Sequence, residues 1–224
     1  MTAIEVTNLT RRYGYRTALK DLTFTTPPSG VLGLFGANGA GKTTLMRVLA
    51  TLLRPHSGTV RIFGMDPEEH PEQVRRKLGL IGDKPLLYSE LTGRENLQFY
   101  GKLYGLSSTE SEKRIQDLAT RFGVKSWLDE PVKNLSTGLK KRFDIARTYL
   151  HEPELLLLDE PFAGLDKEAT EVFEDFLSER KKTTTALLTT HNLPLGEKVC
   201  DHFLTLRKAR LFAQGPISEF DGSM

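Results

Sequence analysis

The chain has 224 residues, which is enough for one large domain or for one domain with an insert. Its 31 lysines and arginines and 29 aspartates and glutamates leave a net charge of only +2; because nucleic-acid-binding proteins are usually more basic, we predict no nucleic-acid partner. The single cysteine, Cys200, excludes an internal disulfide bond, and we expect it to be a small buried residue.

The first part of the chain is predicted to contain strands around one helix. Alternation of apolar and polar residues is typical of half-buried strands, whereas the more uniformly apolar run at 31–35 is typical of a central strand. The elements predicted here are strands at 4–9, 22–26, 31–35 and 59–63 and a helix over 42–53.

The middle of the chain is predicted to be helical. Two capping boxes, in which a serine or threonine is followed three residues later by a glutamate, predict helices that begin at Thr92 and Ser107. A third helix is predicted from Ser136 to about Leu150. We therefore interpret residues 84–151 as a helical insert.

Strands and helices alternate again after the insert. The leucines at 155–158 predict a buried strand, and Asp166 is placed to cap a helix over 167–181. The remaining predicted elements are strands at 185–189, 203–206 and 210–213 and a short helix at 193–199. This alternation favours an α/β fold with a largely parallel sheet and helices packed on it.

A phosphate-binding loop is predicted between the strand at 31–35 and the helix that follows it. Residues 36–43 fit the pattern G-x-x-x-x-G-K-[ST] completely, in the strand–loop–helix context that the mechanism requires. Backbone N–H groups and the helix N-terminus would surround phosphate oxygens, with Lys42 on the β- and γ-phosphates and the Thr43 hydroxyl on Mg²⁺. The predicted nucleotide-binding residues of this segment are Gly36, Ala37, Asn38, Gly39, Ala40, Gly41, Lys42, Thr43 and Thr44.

Two acidic residues, Asp159 and Glu160, follow the apolar strand at 155–158. Carboxylates at the edge of a buried strand are unfavourable unless a cation neutralises them. We therefore predict that Asp159 holds nucleotide-bound Mg²⁺ and that Glu160 orients and deprotonates the attacking water.

With these residues in place, the chain resembles the ATPase subunits of ATP-binding-cassette (ABC) transporters over nearly its whole length. The segment Leu135–Leu139 matches their signature Leu-Ser-Gly-Gly-Gln at three of five positions. The resemblance implies that Tyr13 stacks on adenine and that His191 contacts the γ-phosphate. It also places Asp166 in a nucleotide-contacting loop that follows the catalytic acid.

The resemblance implies a P-loop ABC ATPase fold, with a mixed or parallel sheet and an antiparallel edge. All of 1–224 would be a single domain, whose nucleotide-binding core is formed by 1–83 and 152–224 and whose helical subdomain is 84–151. The implied cofactors are ATP and Mg²⁺.

The resemblance further implies a head-to-tail dimer, in which Ser136 and Gly138 of one subunit close over the ATP held by the other. The partners would be a second ATPase subunit, expected to be an identical copy, and integral membrane permease subunits. No apolar run approaches the roughly 20 residues that span a bilayer. We therefore expect a peripheral protein on the cytoplasmic face of the cell membrane, with the membrane passage in other chains.

The chain departs from the family pattern at two places. Thr137 and Leu139 replace the second glycine and the glutamine of the signature, and Asp83 replaces the glutamine that normally precedes the helical insert. An aspartate at that position can still reach Mg²⁺ or water, and the alternative is a loop acid paired with Lys84.

The departure at Asp83 also indicates a subfamily. The pattern Gly-x-x-Pro at 82–85, followed by Glu90-Leu91-Thr92, is similar to the ATPase subunit of the haem exporters used in cytochrome c maturation. Other small export ATPases are nearly as similar.

Two other functions are consistent with parts of this pattern. A soluble ATPase of the same superfamily, acting on DNA or ribosomes, commonly carries long coiled coils or two fused cassettes, and the chain shows neither. A module that binds ATP without hydrolysing it would not need both Glu160 and His191. We therefore favour an ATP-hydrolysing transporter subunit.

Overall fold

The computed structural model describes residues 2–222, which form two β-sheets with helices around them. The strands are β1 Ile4–Tyr13, β2 Arg16–Thr25, β3 Gly30–Phe35, β4 Ser57–Ile62, β5 Leu78–Ile81, β6 Leu155–Leu158, β7 Thr185–Leu188, β8 His202–Arg207 and β9 Arg210–Pro216. The α-helices are α1 Lys42–Leu49, α2 Pro71–Lys77, α3 Gly93–Leu103, α4 Ser108–Arg121, α5 Thr137–Tyr149, α6 Lys167–Arg180 and α7 Leu193–Val199. Within 2–222, none of these helices is both long enough and apolar enough to cross a bilayer.

The larger sheet has six strands in the order β5-β6-β7-β3-β8-β9. The first five run parallel, and β9 pairs antiparallel with β8 at one edge. The predicted α/β fold with an antiparallel edge is therefore confirmed. Leu158 and Leu188, the last residues of β6 and β7, align with each other and with Gly33, and β3 runs two residues further to Phe35. Ligand sites in parallel sheets form at this carboxyl edge.

The larger sheet is buried on both faces. Leu32 and Leu34 of β3 pack in one hydrophobic cluster together with α1 and the smaller sheet, which has the order β2-β1-β4. Val31 and Phe35 pack in the other cluster, which includes the helical residues of the middle segment. Because side chains alternate along a strand, this continuous apolar run supplies both clusters.

The helices of the middle segment begin at the predicted caps. The Thr92 hydroxyl accepts a hydrogen bond from the Glu95 backbone N–H at 3.1 Å, and the Ser107 hydroxyl accepts one from that of Glu110 at 3.2 Å. Both glutamates bond back to the capping residue, so both capping boxes are confirmed. The predicted starts of α5 after Ser136 and of α6 after Asp166 are also confirmed.

Helix α1 ends at Leu49, so the predicted end at Leu53 is wrong. Thr51 adopts a left-handed backbone conformation with φ of +62°. The Thr51 N–H bonds to Val48 O at 3.0 Å and the Leu52 N–H to Arg47 O at 2.9 Å, which is a Schellman motif. The sequence pattern does not predict this end of α1, because Thr51 occupies the position where glycine is usual.

Two elements, α2 and β5, are absent from the sequence-based prediction. Strand β5 has four residues and pairs in parallel with β6, Leu78 beside Leu155. A Cβ atom at Gly79 would lie 2.8 Å from Thr148 and 2.9 Å from Leu156, so close packing against α5 and β6 requires glycine there. Cys200 is buried as predicted, and burial raises the pKa of its thiol to about 12.

Candidate active site

Most of the predicted site residues line one cavity of about 440 Å³ at the carboxyl edge of the larger sheet. The lining residues are Tyr13, Arg16, Ala18, Asn38, Gly39, Gly41, Lys42, Thr43, Thr44, Asp83, Asp159, Glu160 and His191. A second cavity of about 500 Å³, beside the C-terminal end of α1 and β4, contains none of the predicted site residues. We therefore place the candidate site in the first cavity.

The loop between β3 and α1 has the backbone shape that its glycines allow. Gly36 has φ of +140° and Gly41 has φ of +112°. A Cβ atom would lie 2.3 Å from Leu206 O at Gly36 and 2.5 Å from Ala18 O at Gly41. No other residue fits these positions, because the conformation and the close approach both exclude a side chain.

Lys42 folds back over this loop. Its Nζ donates hydrogen bonds to Gly36 O at 2.6 Å and to Ala37 O at 3.2 Å. Burial lowers the pKa of Lys42, and the nearby carboxylates of Glu160 and Asp159 oppose that effect. An ammonium group has three donors, so one remains for a phosphate oxygen.

Three of the predicted loop residues do not line the cavity: Gly36, Ala37 and Ala40. Ala40 is buried, and its N–H donates to Ala37 O at 3.1 Å, which closes a turn. Their contribution in this structure is to the shape of the loop and, for Gly36 and Ala37, to the carbonyl contacts of Lys42.

The two predicted acids follow β6 and differ in their surroundings. Asp159 is only 8% exposed, and its Oδ1 accepts a hydrogen bond from the Thr189 hydroxyl at 2.6 Å. Glu160 has a left-handed backbone with φ of +48°, a conformation that costs a residue other than glycine about 1–3 kcal/mol. Such outliers persist only where neighbouring contacts hold them.

His191 is paired with Glu160. Its Nε2 lies 3.4 Å from Glu160 Oε1, and its backbone N–H donates to Glu160 Oε2 at 3.3 Å. Glu160 Oε1 is buried and accepts no hydrogen bond among the described residues, since the His191 contact is an ion-pair distance only. A buried carboxylate oxygen without a donor is suited to accept a proton from a bound water.

The oxygen atoms in the cavity fit a magnesium ion. Thr43 and Asp159 bring a hydroxyl and a carboxylate to the same cavity, and oxygen atoms are the ligands that Mg²⁺ takes. Across residues 2–222, no three histidine, cysteine or acidic side chains gather as a metal cluster. The ion would therefore depend on phosphate and water oxygens for its other ligands, as Mg²⁺ commonly does.

Asp83 is exposed and lines the same cavity, as its predicted metal role requires. No ion pair with Lys84 is present in the part of the chain that the structure describes. The alternative of a loop acid paired with Lys84 is therefore not supported, and metal binding by Asp83 stays a prediction.

Tyr13 stands at the exposed rim of the cavity. The Arg11 guanidinium lies 5.2 Å from the centre of its ring, which is a cation–π distance. An aromatic ring held in this way at the mouth of the cavity is available to stack on a base.

Ser136, Gly138 and Asp166 do not line this cavity. The exposed Ser136 caps α5, its hydroxyl accepting from the Leu139 N–H at 3.2 Å. Asp166 accepts from the Ala169 N–H at 2.8 Å and forms an ion pair with Arg142. Their predicted contacts with nucleotide are therefore not made in this cavity and stay predictions; for Ser136 and Gly138 the predicted contact is with ATP held by another subunit.

Three residues of the site are missing from the sequence-based prediction. Arg16 and Ala18 line the cavity from β2, and Thr189 bonds to Asp159 from the end of β7. A basic residue three positions after Tyr13 is a signal that could have indicated Arg16. Thr189 carries no such signal, because its proximity to Asp159 depends on the register of β6 and β7.

The sequence is similar to known transporter subunits. The family model described as ABC transporter matches residues 19–163. The chain is 34% identical over 220 residues to the ABC transporter ATP-binding protein NatA of Bacillus subtilis (strain 168), covering 96% of this chain and 89% of that protein. It is 38% identical over 219 residues to the daunorubicin resistance ATP-binding protein DrrA3 of Streptomyces coeruleorubidus, covering 97% of this chain and 69% of that protein.

The fold is similar to those of solved structures. An ATP-binding subunit of an ABC transporter superposes with a TM-score of 0.92 and 35% identity, covering 97% of this chain and 91% of that chain. The ATP-binding cassette MJ0796, solved as a dimer in a post-hydrolysis state with ADP and Pi, has a TM-score of 0.87 at 21% identity, covering 97% and 100%. The predicted fold is thereby confirmed.

Proposed function

We propose that this chain, which belongs to the ABC transporter family, hydrolyses ATP in the cavity described above and drives export through separate membrane subunits. ATP hydrolysis is the activity of the family's ATP-binding subunits. One observation carries the proposal for this site. The phosphate loop, the acids after β6 and His191, which are far apart in sequence, meet in a single cavity.

The roles of the side chains follow from their positions. Lys42 and the N–H groups of the loop would hold the β- and γ-phosphates at the N-terminus of α1. A magnesium ion held by Thr43 and Asp159 would neutralise the developing negative charge on the phosphates. The free carboxylate oxygen of Glu160 would take the proton of the water whose oxygen attacks the γ-phosphorus, while the bond to ADP breaks. His191, which is paired with Glu160, would contact the γ-phosphate.

The second subunit completes the site in this proposal. Ser136 and Gly138 lie outside the chain's own cavity, so a nucleotide contact from them requires another copy. The dimeric structure of MJ0796 with ADP and Pi supports this arrangement by its shared fold. The helix N-terminus capped by the exposed Ser136 carries a partial positive charge, which favours a phosphate.

Membrane subunits would contact the helical segment 84–151. Leu86, Tyr88, Phe99 and Leu103 are each at least 40% exposed, and we name them the apolar patch. The Tyr88 and Phe99 rings lie 5.1 Å apart, edge to face. The patch begins three residues after Asp83, which lines the ATP cavity, so a permease segment seated there would sense the state of the site.

Export is supported by the relatives. The Streptomyces relative is named for daunorubicin resistance, and a transporter that protects a cell from a cytotoxic compound has to move it outward. The relatives are named as transporter or resistance proteins, which favours this reading over a soluble ATPase acting on DNA or ribosomes. The finer prediction, haem export, rests on the pattern at 82–85 and on Glu90-Leu91-Thr92, and neither NatA nor DrrA3 is named as a haem exporter.

Glu160→Gln tests the catalytic assignment. The change removes the proton acceptor but keeps the shape of the side chain, so the turnover number should fall about 100-fold or more while ATP still binds. Lys42→Ala should instead weaken ATP binding, because it removes a charge from the phosphates. Turnover is measured by phosphate release and binding by equilibrium titration with labelled ATP.

Glu197→Gln is the matched control, because Glu197 is exposed on α7 and outside the cavity. It should leave turnover and binding unchanged. Wild-type turnover in Glu160→Gln would remove Glu160 from the role of base, and full activity in Lys42→Ala would overturn the assignment of the phosphate loop.

A further inference from the structure

Thr189 follows β7, the strand that leads to His191, and lies beside the end of β6, the strand that leads to the candidate acids. It is the first residue after β7, it is fully buried, and its N–H donates to Leu158 O at 2.9 Å. This bond continues the pairing of β6 with β7 up to the point where Asp159 begins the next segment. The side chain of Thr189 is therefore held beside both acids by the sheet itself.

The Thr189 hydroxyl bonds to both acids at once. Its O–H donates to Asp159 Oδ1 at 2.6 Å, and its oxygen accepts from the Glu160 backbone N–H at 3.0 Å. A hydroxyl has one proton and two lone pairs, so the two bonds are compatible. The bond to the carboxylate is charge-assisted and short, and the Thr189 side chain that donates it is fully buried.

The first bond orients the Asp159 carboxylate, and the second holds the Glu160 backbone. The first occupies one oxygen of Asp159 and so sets the direction in which the other oxygen points. The second satisfies the N–H of Glu160, whose backbone is held at φ of +48°. Without this acceptor, the strained backbone would lose a bond that holds it, and the Glu160 carboxylate would move with it.

We propose that Thr189 is a positioning residue for ATP hydrolysis, whose hydroxyl orients Asp159 toward the metal and holds Glu160 toward the water. The inference rests on the proposed function, since it takes Asp159 as the metal ligand and Glu160 as the base. A partner that orients a metal ligand typically contributes about 10–100-fold to metal affinity or activity. Thr189 does not touch the nucleotide cavity, so it acts through the two acids.

Thr205 is a control for Thr189, because it is a buried threonine of the same sheet whose hydroxyl bonds to neither acid. It lies on β8, is 1% exposed, and its Oγ1 has no hydrogen-bond partner among the described residues. The same substitution at the two positions therefore separates the loss of a bonded hydroxyl from the loss of a hydroxyl in general.

The test compares Thr189→Val, Thr189→Ser and Thr205→Val. Valine keeps the size of threonine but removes the hydroxyl, so Thr189→Val should lower the turnover number about 10–100-fold, with a smaller change in KM for ATP. Thr189→Ser keeps the hydroxyl and should restore most of the turnover. Thr205→Val should behave as wild type.

A second readout does not depend on catalysis. Binding of a non-hydrolysable ATP analogue is measured in EDTA and then with Mg²⁺. Thr189→Val should bind the analogue normally in EDTA, because the phosphate loop is untouched, and should lose about tenfold or more of the gain in affinity that Mg²⁺ gives. Binding in EDTA also counts the folded molecules, so turnover is expressed per binding-competent protein.

Normal turnover and a normal Mg²⁺ effect in Thr189→Val would overturn the inference. Equal losses in Thr189→Val and Thr189→Ser, or in Thr205→Val, would also overturn it, because the bonded hydroxyl would not be the cause. The proposed function has a separate test. Wild-type turnover in Glu160→Gln would refute the catalytic assignment. Loss of turnover in Glu160→Gln together with normal turnover in Thr189→Val would refute only the role of Thr189.

Discussion

Burial sets the ionisation of His151, which lies just after α5. The ring stacks on Tyr104 with centroids 3.6 Å apart, and Nε2 lies 2.9 Å from Leu78 O, a bond that places the proton on Nε2. Nδ1 is buried and has no partner among the described residues. Burial, the largest cause, lowers the pKa of His151 to about 4, and the bond to Leu78 O opposes this effect.

This shift predicts a pH dependence of stability. Between pH 4 and the usual histidine pKa of 6.5, the unfolded chain binds a proton at His151 that the folded protein does not. The free energy of unfolding therefore rises with pH across this window, and above it the contribution of neutral His151 to stability is complete. At pH 5 the loss amounts to about 2 kcal/mol relative to pH 7.5, at about 1.4 kcal/mol per unit.

His151→Phe tests the prediction, because phenylalanine keeps the stacking but does not titrate. In urea unfolding without nucleotide, the difference in unfolding free energy between pH 5.0 and 7.5 should be about 2 kcal/mol smaller in this variant than in wild type. His70→Gln, at an exposed histidine, is the control and should keep the wild-type difference. An unchanged pH difference in His151→Phe would contradict the assignment of the effect to this residue.

At the scale of elements, the N-terminus of α5 carries the predicted contact with a second subunit. In a Glu160→Gln background, which keeps ATP bound, we expect ATP to produce a dimer. Ser136→Asp preserves a good N-cap residue but places a negative charge where a phosphate should sit. The fold should therefore be unchanged, while the ATP-dependent dimer is lost, as measured by light scattering after size-exclusion chromatography.

The chain provides a matched control in Ser107, which caps α4 by the same hydrogen bond. Ser107→Asp in the same background should dimerise normally with ATP. A dimer that persists in Ser136→Asp, or one that is lost equally in Ser107→Asp, would contradict the proposed contact.

The elements also show which features a sequence can reveal. The caps at Thr92, Ser107 and Ser136 are local, because the donor lies three residues from the acceptor, and all three predictions are confirmed. The phosphate loop is local in the same sense. Gly36 and Gly41 adopt conformations that only glycine tolerates there. The pattern G-x-x-x-x-G-K-[ST] predicts both positions, because it requires glycine at each of them.

Other features depend on distant parts of the chain. Strand β5 forms because β6 is beside it, and Gly79 is needed because Thr148 and Leu156 approach its Cα. Thr189 meets Asp159 through the register of two strands that are separated by α6. No pattern within a short window contains this information, so only the structure places these residues beside one another.

At the scale of the whole molecule, the candidate site and the apolar patch are joined through a buried charged residue. Asp144 of α5 is fully buried, and its Oδ1 accepts from the Leu86 N–H at 3.0 Å and from Arg147 Nε at 2.9 Å. Arg147 also donates to Leu80 O at 2.5 Å. The helical segment is thus tied on one side to β5, which leads to Asp83, and on the other side to the patch.

Phe99 and Leu103, the two residues of the apolar patch on α3, allow the proposed contact with membrane subunits to be tested. Phe99→Ser together with Leu103→Ser removes the exposed apolar side chains of α3, and with them the ring contacts of Phe99 to Tyr88 and Tyr100, but keeps the buried residues of the helix. In membranes of cells that contain the complete transporter, the ratio of membrane-bound to free chain should fall about tenfold. This fall corresponds to about 1.4 kcal/mol of lost binding free energy, less than the full burial of two large apolar side chains provides. ATP turnover of the isolated chain should stay unchanged, because neither residue lines the cavity.

Phe212→Ser is the control for this measurement, because Phe212 is 51% exposed on β9, outside the helical segment. Membranes are washed with high salt before the measurement, because salt screens surface charges but has little effect on apolar contacts. Phe212→Ser should then show the wild-type ratio of membrane-bound to free chain. A double variant that stays membrane-bound would exclude the patch as the docking surface for the permease. Loss of binding in Phe212→Ser as well would mean that exposed aromatic residues hold the chain on membranes without a specific partner.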